Sequence, residues 1–188
     1  MSESHDDTAP AAGDEPLNQF SQCHSGILRH LEALGGLPAL ASAAAQARRT
    51  ADETVGFFRD VIHEHHSQEE QELFPAVLAS AVAGEERDRV QRIVDQLTRE
   101  HREVEAAWAK LEPALKAVAK GRDVEVDAAA IETLVRRYQA HAAFEERVFL
   151  PLSETILGRN SDHMAALGLS LHLRHAVPEA LERFSGRI

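Results

Sequence analysis

The sequence predicts an all-α fold, an up-and-down four-helix bundle, on three observations. From about residue 16 the chain is rich in Ala, Leu, Glu and Arg and has few β-branched runs, a composition that favours helix. Gly- or Pro-containing breaks at 35–38, near 84 and at 121–127 cut it into four long segments with short connections. Within each segment apolar residues recur every three or four positions, as on a helix with one buried face.

The elements follow in order. Residues 1–15 are polar, contain Pro and Gly, and read as a disordered N-terminal segment. The first helix is expected over about 17–34, stopped by Gly35-Gly36-Leu37-Pro38. The second starts near Leu40 or Thr50 and runs to Ala83, with a kink at Pro75. Gly84 separates it from a third helix over about Glu85–Lys120, which Pro113 can bend. Residues 121–127 form the next break, and Asp127 is suited to cap a fourth helix over 128–157 that contains Pro151. The bundle domain is thus 16–158, followed by a C-terminal helical tail over 159–188.

Composition narrows the function. The formal net charge of -11 argues against nucleic acid or an anionic membrane as a partner, because phosphate binding needs a basic face. A single cysteine, Cys23, rules out a disulfide framework and a multi-thiolate zinc site, and is expected to be buried. The N-terminus lacks the basic start and apolar run of a signal peptide, and no stretch has the roughly 18 apolar residues of a membrane span, so a cytoplasmic address is expected. Eleven histidines beside one Trp and one Tyr call for an explanation.

An internal repeat supplies one. "HHSQEEQELFP" (65–75) aligns with "HAAFEERVFLP" (141–151), so that His65 matches His141, Glu69 matches Glu145 and Pro75 matches Pro151, each 76 residues apart. The preceding helices also correspond, and His24 matches His101, 77 residues on. At about 100° per residue, Phe58, Ile62, His65, Glu69 and Leu73 fall within an arc of roughly 80°. So do Leu134, Tyr138, His141, Glu145 and Phe149; Leu97, His101, Val104 and Trp108; and Phe20, His24, Ile27 and Leu31. Four histidines and two glutamates therefore lie on apolar stripes, where a polar group is costly unless it is paired or ligates a metal. His63, Glu64 and Glu70 fall outside the arc and read as solvated; His66 and Glu105 lie about 50° from their stripe centres, so that either could swing inward to fill an open position, but they read first as lying around the site or in solvent.

With His24, His65-x-x-x-Glu69, His101 and His141-x-x-x-Glu145 in place, and Leu-Phe-Pro (73–75) and Phe-Leu-Pro (149–151) behind the acidic pairs, residues 17–157 resemble the haemerythrin-like, or HHE cation-binding, family. The resemblance implies a non-haem di-iron centre inside the bundle. The metal ligands would be His24, His65, Glu69, His101, His141 and Glu145, with the two Glu bridging two Fe ions that also share an oxo or hydroxo bridge. Imidazole and carboxylate without thiolate suit Fe, with Mn or Zn as possible substitutes. The expected partner is a small diatomic ligand or peroxide. Where haemerythrins carry a second His four residues on in the third helix, this chain has Glu105, and Glu145 stands in place of their Asp. That leaves one more open coordination position than in the oxygen carriers, which favours access by water, peroxide or substrate.

Other metal patterns are missing. No Glu stands three residues before a His, as ferritin-type bundles require. Residue 67 is Ser, so "HEHHS" (63–67) is not the zinc-protease motif. His172 and His175 could form a secondary clamp but read as a solvated face, and Tyr138 could either donate to a bound oxygen species or sit as a core aromatic. Three functions fit: a di-iron binding or sensing module for O₂, NO, peroxide or iron; an enzyme turning over H₂O₂ or NO; or a zinc-held or metal-free interaction bundle.

Overall fold

The structure, a computed structural model, describes residues 14–159. The tail, with His163, His172 and His175, lies outside the described residues. Among those described, every regular element is helical: α1 (Asp14–Phe57), π1 (Phe58–Ile62), α2 (His63–Gln68), π2 (Glu69–Leu73), α3 (Phe74–Ser80), α4 (Glu85–Ala119), α5 (Ala128–Phe144), π3 (Glu145–Phe149) and α6 (Leu150–Leu157). None is long and apolar enough to cross a membrane. The chain divides into an N-terminal unit, ending at Ala45, and a second unit that begins at Gln46.

The two later breaks fall where expected. Gly84 takes φ 97° and Gly121 takes φ 71°, both in the region that favours glycine. Asp127 caps α5 by accepting a hydrogen bond from the Ala130 amide at 3.0 Å. The expected stop at 35–38 does not occur, because α1 runs unbroken through Gly35, Gly36 and Pro38. Neither glycine turns to positive φ, so no left-handed cap forms, and the Ala-rich stretch after Pro38 favours continued helix. Pro113 is likewise contained within α4, which continues past it.

Among the described residues of the second unit, three rods pack together: residues 46–80, α4, and Ala128–Leu157. Each rod reads apolar, polar, apolar along its length. One apolar layer joins Phe58 and Ile62 to Val104, Trp108, Leu111 and Leu134. Here Phe58 and Trp108 stack with ring centroids 3.9 Å apart, the kind of pair that contributes about 1 kcal/mol beyond burial alone. The other layer includes Phe74, Val77, Val90, Leu97, Phe149 and Ile156. Between the two layers, in sequence on every rod, lie the buried polar residues His66, Glu69, His101, His141 and Glu145.

Among the described residues, the N-terminal unit consists of the first part of α1. Phe20, Ile27 and Leu31, expected on an inner apolar stripe, are exposed there, as is Leu34. Cys23 is exposed too, contrary to the burial expected of it.

Candidate metal centre

The backbone prepares the site with widened turns. In π2 the Phe74 amide donates to the Glu69 carbonyl, and in π3 the Leu150 amide donates to the Glu145 carbonyl, each five residues back. Each turn thus starts on an acidic residue of the repeat. Pro75 and Pro151 follow at the start of α3 and α6, where a missing amide hydrogen is tolerated, as at a helix N-terminus. The 76-residue repeat is therefore present in the backbone as well as in the residues.

One donor atom from each of Glu69, His101, His141 and Glu145 lies within 4.8 Å of the others. A second group, His66, His101 and His141, overlaps it. His101 Nε2 is 3.3 Å from Glu69 Oε2, His65 Nε2 is 3.5 Å from Glu69 Oε1, and His141 Nε2 is 3.6 Å from Glu145 Oε2. Two ligands bonded to one ion at about 2.1 Å stand roughly 3.0–3.5 Å apart, so these separations suit neighbouring metal ligands.

The polar accounting points the same way. Nε2 of His66, His101 and His141, Oε2 of Glu69 and Oε1 of Glu145 are buried with no hydrogen-bond partner. So many unpaired buried donors and acceptors in one place would each cost about 1–3 kcal/mol. The opposite nitrogens face carboxylates. His101 Nδ1 is 2.9 Å from Glu70 and His141 Nδ1 is 3.2 Å from Glu100, both hydrogen-bonded, whereas His66 Nδ1, 3.6 Å from Glu105, has no hydrogen-bond partner. A carboxylate on Nδ1 fixes the tautomer that leaves Nε2 free to bind a cation, as around protein-bound metals.

The electrostatics fit a missing positive charge. Burial lowers the pKa of His65 to about 4 and of His66 to about 2, helped by the neighbouring histidines, so both imidazoles stay neutral with a free lone pair. Burial raises Glu69 to about 7, and burial together with the Glu69 charge raises Glu145 to about 8. A divalent cation would reverse that cost. Tyr138 is raised to about 12, by burial first and then by Glu145, and its ring lies 6.3 Å from that of His66 and 5.9 Å from that of His141.

The structure brings His65, Glu69, His101, His141 and Glu145 together. His24 is exposed on α1, edge-on to Phe20 at 5.6 Å. Two readings need correction. His66, expected first around the site or in solvent, is 1% exposed, groups with His101 and His141, and has both ring nitrogens buried without a hydrogen-bond partner, while His65 is half-buried. Glu70, expected in solvent, reaches across to His101. Glu105, expected around the site or in solvent, stands beside His66 at the edge of the cluster. The doubled His at 65–66 was the available signal for His66; no sequence signal placed Glu70 opposite His101. His63 and Glu64 are exposed, as expected.

A protein of Haemophilus influenzae (strain ATCC 51907 / DSM 11121 / KW20 / Rd), described as an uncharacterized protein, is 25% identical to this chain over 163 residues, covering 83% of the chain and 91% of the relative. No solved structure matches significantly. The family described as Hemerythrin HHE cation binding domain matches residues 15–153, most of the chain and all of the buried cluster. The chain belongs to the hemerythrin HHE cation-binding domain family.

Proposed function

We propose that the buried cluster is a non-haem di-iron centre that binds or senses O₂, NO, peroxide or iron. The observation that carries this is the set of inward-facing, unpaired donors: Nε2 of His66, His101 and His141, with one oxygen each of Glu69 and Glu145. Neutral imidazoles and carboxylates without thiolate are ligands for Fe, Mn or Zn. His66, His101 and His141 would hold the metal with Glu69 and Glu145, and His65 stands at the edge of the same set. Bound iron would supply redox chemistry and a coordination position for a small ligand. The chain's own part is to keep the imidazoles neutral, orient them through their Nδ1 contacts, and close the centre between two apolar layers.

The family's four-helix frame belongs to this reading, and so does His24, through its match to His101 in the repeat. Metal content of His24→Ala tests that assignment: unchanged iron removes His24 from the ligand set.

The deciding experiment is metal analysis of protein expressed with added iron and purified without chelator. About two irons per chain are expected from the two-metal reading, with a visible spectrum that changes when O₂ or NO meets the reduced protein. A folded protein that takes up only zinc, or no metal, overturns the reading and favours a structural role. Turnover of H₂O₂ or NO above that of free iron would make the centre an enzyme.

A further inference from the structure

We propose that Arg102 is a positioning residue that clamps the carboxylates behind two histidines on different rods and so sets the metal affinity of the centre from the protein surface. The proposal rests on the metal-centre reading for its affinity effect, but not for its effect on the imidazoles.

Arg102 is exposed, with side-chain accessibility of 56%. Its guanidinium nonetheless grips two acids at once. Nη2 donates to Glu70 Oε2, and Nη1 donates to Glu105 Oε1 at 3.1 Å and Oε2 at 3.0 Å. Both acids stand behind buried histidines. Glu70 Oε1 is 2.9 Å from His101 Nδ1, and Glu105 Oε1 is 3.6 Å from His66 Nδ1. The contacts cross between rods. Glu70 and His66 belong to the first rod, whereas Arg102, His101 and Glu105 belong to α4. Each rod thus places an acid behind the other rod's histidine, and Arg102 ties the two acids together.

A planar guanidinium with five donors can hold two carboxylates in fixed orientation; an ammonium cannot reproduce that fork. Without the clamp, Glu70 and Glu105 can turn toward solvent, and His101 loses the group that holds its Nε2 lone pair inward, while the charge of Glu105 moves away from His66. The third histidine is an internal contrast. Glu100 stands behind His141 and takes its other hydrogen bond from the Gln96 amide at 2.8 Å, with no arginine involved.

The test uses Arg102→Ala, Arg102→Gln and Arg102→Lys in the full chain, with Arg137→Ala as control. Arg137 is an exposed arginine paired with Glu103 at 3.4 Å. ¹⁵N spectra of the metal-free proteins report the imidazole tautomers, and anaerobic competition with a chelator reports Fe(II) affinity. Arg102→Ala and Arg102→Gln should mix the His101 tautomers, leave His141 unchanged and weaken Fe(II) binding about tenfold, while the metal-free protein melts near the wild-type temperature. Arg102→Lys should recover less than half of that loss, and Arg137→Ala should change neither readout. Wild-type tautomers at His101 in both neutral variants overturn the clamp, whatever happens to affinity. If the wild type binds no iron, the metal-centre reading fails, and the tautomer measurement still decides whether Arg102 positions His101.

Discussion

The two halves of the repeat share a backbone but not a chemistry. Residues 65–75 and 141–151 each place a carboxylate at the start of a widened turn and a proline six residues later. Glu69 and Glu145 are both buried and both raised in pKa by that burial. Around them the halves diverge. The first half has His65 and His66 where the second has His141 and Ala142. Its neighbouring acid, Glu70, reaches His101, whereas Glu146 is exposed. The symmetric positions are those that the proposed bridging role would demand, and the asymmetric ones make the surroundings of the two carboxylates unequal.

That comparison breaks most sharply at the shared carboxylates. Glu69→Ala and Glu145→Ala should each lower bound iron to about half or less, measured as metal per chain, because each removes a donor that no neighbour can replace. If one substitution leaves iron intact, the halves are not equivalent even at their common residue. The next effect separates the paired histidines. His66→Ala should weaken Fe(II) binding by at least about tenfold, and His65→Ala by less, because His66 is the more buried and overlaps the His101–His141 group. Equal losses would make both of them ligands; a larger loss at His65 would restore the simple repeat.

Much of this was legible in the sequence because helical periodicity depends only on local geometry. It put Phe58, Ile62, Glu69 and Leu73, then Leu97, His101, Val104 and Trp108, on inner faces, and all of these are buried. His66 escaped because the count assumed 3.6 residues per turn throughout. In π1 the His63 amide bonds five residues back to the Phe58 carbonyl, so that turn holds more residues, and Phe58, Ile62 and His66 come to share a face at steps of four. Glu70 escaped for a different reason. Its partners His101 and Arg102 lie on another rod, and the rotation of one rod against another is not written in either segment alone. The helix stop at 35–38 was misread because glycine closes a helix where the chain turns to positive φ, as Gly121 does after α4 and Gly35 and Gly36 do not.

The difference between Glu70 and Glu146 gives a smaller effect. Glu70→Ala should weaken Fe(II) binding by up to about tenfold through the freed His101 ring, whereas Glu146→Ala, on an exposed side chain, should leave it at the wild-type value. Equal behaviour of the two variants would mean that the Nδ1 contact of His101 contributes nothing to the centre.

The smallest effect is the pH slope of the metal-free protein, and its sign follows from the shifted groups. Glu69 and Glu145 are raised from 4.5 to about 7 and about 8, so the folded chain holds protons that the unfolded chain has lost, and stability falls as pH rises between those values. His65 and His66 are lowered from 6.5 to about 4 and about 2, so the unfolded chain binds protons first, and stability falls as pH drops below 6.5. The two trends oppose each other between pH 4.5 and 6.5, and only the carboxylate trend remains between 6.5 and about 8. The melting temperature of metal-free protein should therefore decline across that upper window, and Glu145→Gln, which stays neutral, should flatten the decline. Iron should cancel it, because the bound ion favours the ionised carboxylates and binds more tightly as protons leave. A metal-free protein that melts higher at pH 8 than at pH 6.5 would show that burial of these two acids does not govern the stability of the polar layer.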